Sequence, residues 1–512
     1  MEKSIFELIS ENISDGVLAE SFSLPEEADS APVKFAPGAF DGISIYHMGL
    51  DELDDAGRTE LGTALQSAST DKRAETDALF FEWTKKHRAI SMVDEIQDYV
   101  RDHQAELKIG YLYQSAKYMI LHSAHAECVK IGLELLELFK EPAEDMKEAV
   151  RTLGLYDEFT MFALWNLRKW ENGNHEIFDL AKKVHGWGRI HAVEFLEPDT
   201  EEIRRWLLME GVENDVMAAY SALTVWESCG AEELLAGKPS EEEYKALLRI
   251  VPGLLDEGPC PGISKVENAE SVLLRLAELA VILSAAKDPL TQDDALTADD
   301  LAVFLDMKRW AEHKKTPLPA VAAACDSVLR LPASENAVRA AVKEGKALEL
   351  AEELGLPFRE DLLRVMRTDF EKHYGDVRYL MNDGEYYREQ AMKLFREKLP
   401  LAAMKGDPVD DLCLDDEYKT HNMLQFMIQE LDSRPFTGAD FVRAGLESPV
   451  SRNRNRALLV LQAWVSAEKK PLAELLPALY EVVKRLRDRE INPGVRAEAE
   501  PLLEGKISFE ED

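Results

Sequence analysis

The residues best suited to molecular recognition lie together in one stretch of the chain. Tryptophan and arginine are the side chains most often found at the energetic centre of interfaces, and histidine and glutamate add polar contacts. This stretch contains His185, Trp187, Arg189, His191, Glu194, Trp206 and Asn214. We interpret them as the lining of one binding groove, with Trp187 and Trp206 as apolar anchors and Arg189 as the charged contact.

The same residues also fit a purely structural interpretation. Stacked helices need large side chains between them, and Trp187 and Trp206 would fill such spaces. In that case Arg189 and Glu194 would form a buried ion pair between neighbouring helices. Both interpretations remain open at the level of the sequence.

Other candidate chemistry is weaker, and we assign no catalytic residue and no metal ligand. His122 and His125 lie three residues apart on a predicted helix beside Glu127, which could form a two-histidine, one-carboxylate site or a structural pair. The five cysteines are scattered without a C-x-x-C spacing, which excludes a disulfide framework and a local zinc motif. The pair Gly186 and Gly188 lacks the third glycine of a dinucleotide-binding turn and follows a helical pattern instead of a strand.

The elements that position the recognition residues are predicted to be short helices. Between Tyr156 and Gly230, amphipathic segments alternate with turns at Gly, Asn, Pro or Asp. Helices of this length cannot bury their apolar faces alone, so they must pack on one another in series. The pattern predicts an all-α, HEAT/armadillo-like α-solenoid of stacked helix pairs over residues 61–512.

Two segments show this pattern in detail. Apolar residues from Cys128 to Phe139 occupy two adjacent stripes, which predicts a helix covered on two sides. Ser240 and Glu243 have the spacing of a capping box and mark the start of another helix. Sub-breaks are predicted near residues 288–296 and 405–416, where Pro, Gly and Asp cluster.

The N-terminal region differs from the remainder. Residues 1–60 contain 14 acidic and 3 basic residues with several prolines. We predict a partly extended acidic arm or cap with little regular structure, beginning with a short helix. The segment Phe40–Tyr46 alternates weakly and predicts a strand or part of a hairpin.

Charge restricts the possible partners. The formal net charge is −37, from 97 acidic and 60 basic residues. This charge repels phosphate backbones and anionic lipid, so a nucleic-acid partner and a membrane partner are disfavoured. Residues 450–496 instead contain ten basic and five acidic residues. That segment could form a basic docking face, or its arginines could cover helix ends and apolar surface.

The recognition stretch also carries a family resemblance. Gly186-Trp187-Gly188-Arg189-Ile190-His191 through Asn214 resembles bacterial HEAT-like proteins often labelled limonene hydroxylase, as do Ser4–Ile9, Phe22–Pro25 and Phe40–Ile43. The resemblance implies a helical solenoid, hydroxylation of the monoterpene limonene, oxidation of the alcohol products and use of a nicotinamide cofactor such as NAD. Oxygen insertion needs haem, flavin or non-haem iron. The sequence patterns that usually hold these groups are absent.

From these observations we expect a cytoplasmic scaffold that binds a protein or peptide on the concave face of a solenoid. The N-terminus lacks the basic region and apolar run of a signal peptide. The alternative is the monoterpene hydroxylase and dehydrogenase that the resemblance implies. The sequence does not specify the oligomeric state.

Overall fold

The computed structural model describes residues 3–25, 35–258, 260–286, 296–409, 413 and 415–505. Within these ranges the chain is mainly helical with almost no strand, so the all-α prediction is confirmed. The strands in the described part are β1 (Ile13–Ser14) and β2 (Val17–Leu18), which pair antiparallel with Ile13 opposite Leu18 and Ser14 opposite Val17.

The α-helices follow one another along the whole described chain, with a π-helix over Ser44–Met48. Those up to residue 255 are α1 (Ile5–Ser10), α2 (Ala39–Ile43), α3 (Asp55–Ala68), α4 (Arg73–Thr84), α5 (Val93–Asp102), α6 (Ile109–His122), α7 (Ala126–Glu137), α8 (Glu144–Gly154), α9 (Asp157–Leu167), α10 (Gly173–Ala181), α11 (Gly186–Phe195), α12 (Glu201–Glu210), α13 (Ala219–Ser228), α14 (Ala231–Ala236) and α15 (Glu241–Leu255). The later ones are α16 (Ala269–Ala286), α17 (Ala298–His313), α18 (Pro319–Leu329), α19 (Pro332–Val342), α20 (Leu348–Glu353), α21 (Arg359–Thr368), α22 (Phe370–His373), α23 (Arg378–Met381), α24 (Glu385–Lys398), α25 (Lys419–Gln429), α26 (Ala439–Leu446), α27 (Ser451–Glu468), α28 (Leu472–Leu475), α29 (Pro477–Arg489) and α30 (Pro493–Glu504). Short 3₁₀ helices cover Ala89–Ser91, Ile263–Lys265, Tyr374–Val377, Leu401–Ala403 and Asp416–Tyr418.

The chain divides into two compact units. Unit 1 comprises Met1–Thr291 and Val303–Val328, and unit 2 comprises Gln292–Ala302 and Leu329–Asp512. Each has its own apolar core. The largest fully buried apolar or aromatic side chains of unit 1 are Phe80, Phe159, Phe162, Phe178, Trp226, Tyr244 and Phe304, and those of unit 2 are Phe358, Phe395 and Trp464.

Helices in unit 1 pack in a regular order. The helix α7 packs on α9, α9 on α11, α11 on α13, and α13 on α15. We call these five helices the helix row. The intervening α8, α10, α12 and α14 each pack on a member of the row that is next to them in sequence.

Local sequence explains where individual helices start. The capping box predicted at Ser240 is confirmed, because its hydroxyl accepts the Glu243 N–H and the Glu243 carboxylate accepts the Ser240 N–H. The helix α12 begins after Thr200, whose side chain accepts the Ile203 N–H. Such caps satisfy N–H groups that have no partner within the helix.

The N-terminal region contains more helix than the sequence suggested. The helix α1, the β1–β2 hairpin, α2 and the π-helix all lie before residue 49. The predicted strand at Phe40–Tyr46 is wrong, because these residues belong to α2 and the π-helix. Tertiary packing overrides the weak alternation: Gly42 lies against the Trp187 ring, where an added Cβ would come within 2.1 Å of a ring carbon.

The predicted sub-breaks fall largely outside the described residues. Only position 296 of the first one is described, and residues 410–412 and 414 of the second are not. Before the second, the N–H groups of Gly406 and Val409 donate to the carbonyls of Glu447 and Pro449. In the part of the chain that the structure describes, no helix combines the length and apolar character needed to cross a bilayer.

Candidate functional site

The predicted recognition residues separate into two groups on opposite sides of α11. Trp187, His191 and Glu194 follow one face at helical spacing, whereas Arg189 points to the other face. Trp187, Arg189 and His191 are all buried. The stretch therefore does not line one groove.

Arg189 and Trp206 form a structural contact between helices. The Arg189 guanidinium donates to the carbonyls of Ala181, 2.6 Å, and Glu210, 3.1 Å, which are the last residues of α10 and α12. It lies 4.4 Å from the centre of the Trp206 ring. Because carbonyls at helix ends lack partners within the helix, Arg189 satisfies two such ends at once. The proposed role of Arg189 and Trp206 as accessible contacts is therefore wrong.

The expected ion pair between Arg189 and Glu194 is also absent. Arg189 has the Glu210 carboxylate as its charged neighbour, 3.9 Å away. Glu194 instead accepts a hydrogen bond of 2.9 Å from the hydroxyl of Tyr46 in the π-helix. Two residues in one helix that are five positions apart point in different directions, which explains why they do not meet.

Asn214 is buried and shapes the turn before α13. Its carboxamide oxygen accepts the N–H groups of Val216 and Met217, and its amide nitrogen donates to the Met217 carbonyl and the Ser221 hydroxyl. The turn leaves Val216 and Met217 exposed. The helix α13 begins only after this turn, at Ala219.

His185 lies at the edge of this region and is exposed. Its Nδ1 atom lies 3.3 Å from the Asp215 carboxylate in the turn that Asn214 shapes. Since the contact is exposed to solvent, we expect it to contribute little to stability.

Five rings form an aromatic cluster that includes Trp187 and His191 of α11. The cluster consists of Tyr46, His47, Trp187, His191 and Tyr220. Tyr46 stacks on His191 with ring centres 6.3 Å apart, and Trp187 lies 4.9 Å from Tyr220. The His47 Nε2 atom and the Tyr220 hydroxyl are hydrogen-bonded at 2.7 Å.

Burial and hydrogen bonding shift the pKa values of three groups in and beside this cluster. Burial and the nearby Glu194 carboxylate raise the pKa of Tyr46, so its hydroxyl stays protonated and donates. His191 and the Tyr46 hydroxyl lower the pKa of Glu194 despite its burial. Burial and Glu194 raise the pKa of the nearby Cys260 thiol, which disfavours the reactive thiolate.

Exposed apolar side chains lie next in sequence to members of the aromatic cluster. Ile45 and Met48 flank Tyr46 and His47 on the π-helix, while Val216 and Met217 precede Tyr220. We call Ile45, Met48, Val216, Met217 and the five cluster rings the aromatic surface. Single exposed apolar residues are ordinary, but a group around partly buried rings is typical of a contact site. A π-helix is also frequent at functional sites.

Sequence reasoning found Trp187, His191 and Glu194 but missed Tyr46 and His47. The chain neighbourhood of Tyr46 predicted a strand or part of a hairpin in an N-terminal arm or cap, so nothing local connected it to α11. The weak signal was Gly42, whose missing side chain makes room for the Trp187 ring.

The glycines at the start of α11 leave room for the carboxylate of Asp157. Gly188 and His185 donate their N–H groups to Asp157, and an added Cβ at Gly186 or Gly188 would lie 2.3 or 2.6 Å from its oxygens. Asp157 thus caps α11 from the start of α9. Burial raises the pKa of Asp157 to about 7, against the two backbone hydrogen bonds that lower it.

The raised pKa of Asp157 predicts a specific pH dependence. The folded protein holds this proton more tightly than the unfolded chain, so the contribution of Asp157 to stability falls as the pH rises from about 4 towards 7. We expect Asp157→Asn to be less stable than wild type at pH 5 and to lose this disadvantage by pH 8. Urea unfolding at both pH values measures it, with Asp179→Asn on the exposed side of α10 as the control. The prediction would be contradicted if wild type and Asp157→Asn differed in free energy of unfolding by the same amount at pH 5 and pH 8.

The histidine pair is not arranged as a metal site. His125 stacks on Phe81 with ring centres 3.6 Å apart, and Glu127 accepts hydrogen bonds from Lys130 and the Ala89 N–H. Among the residues described, no group of three or more His, Cys, Asp or Glu side chains has a geometry suited to a metal ion.

No family model matches this chain, and the search of curated proteins found no significant relative.

Proposed function

We propose that this protein binds a peptide segment of a partner protein on the aromatic surface of unit 1. The observation that carries the proposal is the exposure of Ile45, Met48, Val216 and Met217 around a cluster of five rings. Interfaces concentrate their binding energy in aromatic and methionine side chains surrounded by a polar rim.

The serial packing of the helix row supports a HEAT-like solenoid in unit 1. In such arrays every second helix lines one face, and that face usually binds the partner. The rings Trp187, His191 and Tyr220 belong to α11 and α13, which are consecutive members of the row. The aromatic surface would then lie on the concave face.

Charge complementarity defines the class of peptide. Glu194 is half-exposed within the aromatic surface, and Glu213 and Asp215 are exposed in the turn beside Met217. The whole chain carries a net charge of −37. A segment that combines Lys or Arg with large apolar side chains would match both features. We further propose that the protein acts in the cytoplasm, where its five cysteines would remain thiols.

A displayed library of random 16-residue peptides tests this function. We expect selection on the wild-type protein to enrich peptides rich in Lys, Arg and large apolar residues. The double variant Met48→Asp, Met217→Asp should weaken a selected peptide at least about tenfold, measured by fluorescence anisotropy, because it places charge in the apolar contact.

The matched control makes the same type of change elsewhere. Ile491 is also an exposed apolar residue but belongs to unit 2, so Ile491→Asp should leave the affinity unchanged. Equal binding by the wild type and the double variant would contradict the assignment of the site. Limonene-dependent consumption of NADH or NADPH by the purified protein would support monoterpene oxidation instead.

A further inference from the structure

A fully buried lysine lies behind the aromatic surface. The Lys130 ammonium contacts three carboxylates: Asp41 at 2.7 Å, Glu127 at 3.0 Å and Glu158 at 2.6 Å. Lys130 is completely shielded from solvent, and Asp41 almost completely. A buried ammonium needs such partners, because an unpaired charge in a protein interior is strongly unfavourable.

The carboxylates outnumber the cations in this buried cluster. Glu134 lies one helical turn after Lys130 on α7, is almost completely buried, and neither of its oxygens has a hydrogen-bond partner in the described structure. One oxygen of Asp41 also lacks a partner. Four ionised carboxylates against one ammonium would leave a large uncompensated charge in the interior. Burial and the neighbouring carboxylates raise the pKa of Glu134 well above its ordinary value, which favours the protonated form of this carboxyl.

One member of the cluster comes from a different part of the chain. Glu127, Lys130 and Glu134 belong to α7, and Glu158 belongs to α9, so these four are fixed in the helix row. Asp41 alone comes from the N-terminal segment, which we define as residues 38–48. It is the carboxylate whose departure would relieve the repulsion.

The other cations nearby pair with other carboxylates, so Lys130 is the cation that acts on Asp41 and Glu134. Arg88 contacts Glu127 at 3.3 Å from the exposed side, and Arg168 and Lys169 pair with Glu137 further along α7. Asp157 at the start of α9 is occupied with the N–H groups of α11. On the α7 side, the charged groups in and around the cluster are Glu127, Glu134 and Glu137 of α7 and Arg88 before it. On the α9 side they are Asp157 and Glu158 of α9 and Arg168 and Lys169 just after it.

The N-terminal segment makes further contacts. The Gly38 N–H donates to Glu158 at 2.7 Å, Tyr46 donates to Glu194, and His47 pairs with Tyr220. Ala39 and Ile43 pack with Trp187. The Tyr46 ring also lies against Trp187, His191 and Tyr220, and the Arg88 guanidinium lies 4.4 Å from the centre of the Phe40 ring. The segment is thus held by one buried charged contact, several hydrogen bonds, one small apolar cluster and these ring contacts.

We infer that the Asp41–Lys130 contact is a proton-dependent lock, which holds the N-terminal segment on the helix row at low pH and releases it as the pH rises. The proton leaves a carboxyl of the buried cluster for solvent, and the added negative charge repels Asp41. Release would carry away Ile45 and Met48 and so disassemble the aromatic surface. This last consequence rests on the proposed peptide-binding function, whereas the release itself does not.

The direction follows from burial. Burial raises the pKa of Asp41 against the opposing effect of Lys130, and burial with neighbouring carboxylates raises the pKa of Glu134 well above its ordinary value. The docked form therefore binds protons more tightly than the released form. Docking is strongest at low pH. It weakens as the pH rises from the ordinary pKa of a carboxyl towards the raised pKa values of Asp41 and Glu134.

Hydrogen exchange measured by mass spectrometry on the full chain tests the lock. We expect the protection factors of the amides of residues 38–48 to fall at least about tenfold between pH 6 and pH 9, after correction for intrinsic exchange rates. Amides of α15 serve as the internal reference. Asp41→Asn should reduce the change to less than about threefold. Glu134→Gln, which leaves the segment itself unaltered, should do the same.

The controls separate the possible outcomes. Asp51→Asn removes an exposed carboxylate just beyond the segment and should keep the wild-type response. Equal protection of wild-type residues 38–48 at pH 6 and pH 9 would overturn the lock, as would an unchanged response in both variants. A selected peptide that fails to bind at pH 6, although the segment is protected, would instead refute the proposed function.

Discussion

Replacement of Glu490 by glutamine is expected to destabilise unit 2 by about 3–5 kcal/mol. Arg454 and Glu490 form a two-pronged ion pair, with Nε to Oε2 at 2.6 Å and Nη2 to Oε1 at 2.8 Å, and both side chains are fully buried. The glutamine would leave the guanidinium charged and without its counter-charge in the interior, which is the costly case.

The surroundings of this pair increase the expected effect. Glu490 also accepts the N–H groups of Ile491 and Asn492, and Arg454 donates to the carbonyls of Ser448 and Pro449. The pair therefore connects α27 to the turns before it and before α30. Losing the charge weakens bonds at both ends, because hydrogen bonds to charged groups are about twice as strong as neutral ones.

An exposed pair of the same chemistry provides the control. Arg396 and Asp440 are joined by two bonds of 2.7 and 2.9 Å, but both side chains are partly exposed. Asp440→Asn should cost about 1 kcal/mol or less, because solvent screens the pair. Urea unfolding, with hydrogen exchange of α27 to assign the transition to unit 2, measures both variants. Equal losses in the two variants would show that burial is not what makes the Glu490 pair strong.

This pair shows why the basic segment was only partly readable from sequence. Ten basic residues between positions 450 and 496 suggested either a docking face or arginines over helix ends and apolar surface. Arg454 does neither, since it is buried against Glu490, which lies 36 positions later. Local composition counts charges, but it does not show which charge meets a partner that distant in the chain.

The fold was predictable where local periodicity determines it. Short amphipathic segments around Tyr156–Gly230 predicted helices, and the capping box at Ser240 predicted the start of α15. The N-terminal region was not predictable in the same way. Phe40–Tyr46 has too little periodicity of its own, and its helical form depends on packing against Trp187 and on the contact between Asp41 and Lys130.

The helix α7 connects the fold to the site. Its two apolar stripes predicted a helix covered on two sides, yet every residue from Cys128 to Glu137 is buried. The additional side carries Glu127, Lys130 and Glu134, which a periodicity argument assigns to solvent. The N-terminal segment contributes Asp41 to this side. A stripe of opposite charges on one helix is therefore compatible with burial when another chain segment covers it.

Lys130→Met is the second substitution with a large expected effect. Methionine matches the length and shape of the lysine stem, but it removes the cation that one buried and two partly buried carboxylates share. We expect unit 1 to lose at least about 3–5 kcal/mol at pH 8, because uncompensated buried charge is more costly than a lost attraction. The carboxylates would bind protons more readily without the ammonium, so the loss should shrink as the pH falls towards 5.5.

A double variant separates charge from packing in this effect. If excess negative charge is the cause, adding Asp41→Asn to Lys130→Met should recover part of the lost stability. The same Asp41→Asn substitution in the wild-type protein should not stabilise it by as much. Lys72→Met, which removes an exposed lysine paired with Glu75, should change stability by less than about 0.5 kcal/mol. Urea unfolding at pH 5.5 and pH 8 measures all four proteins. The effects of the two substitutions on the free energy of unfolding could instead be additive, with the loss from Lys130→Met the same at both pH values. Lys130 would then act through packing of its stem, and the charge-based account of the N-terminal segment would fail.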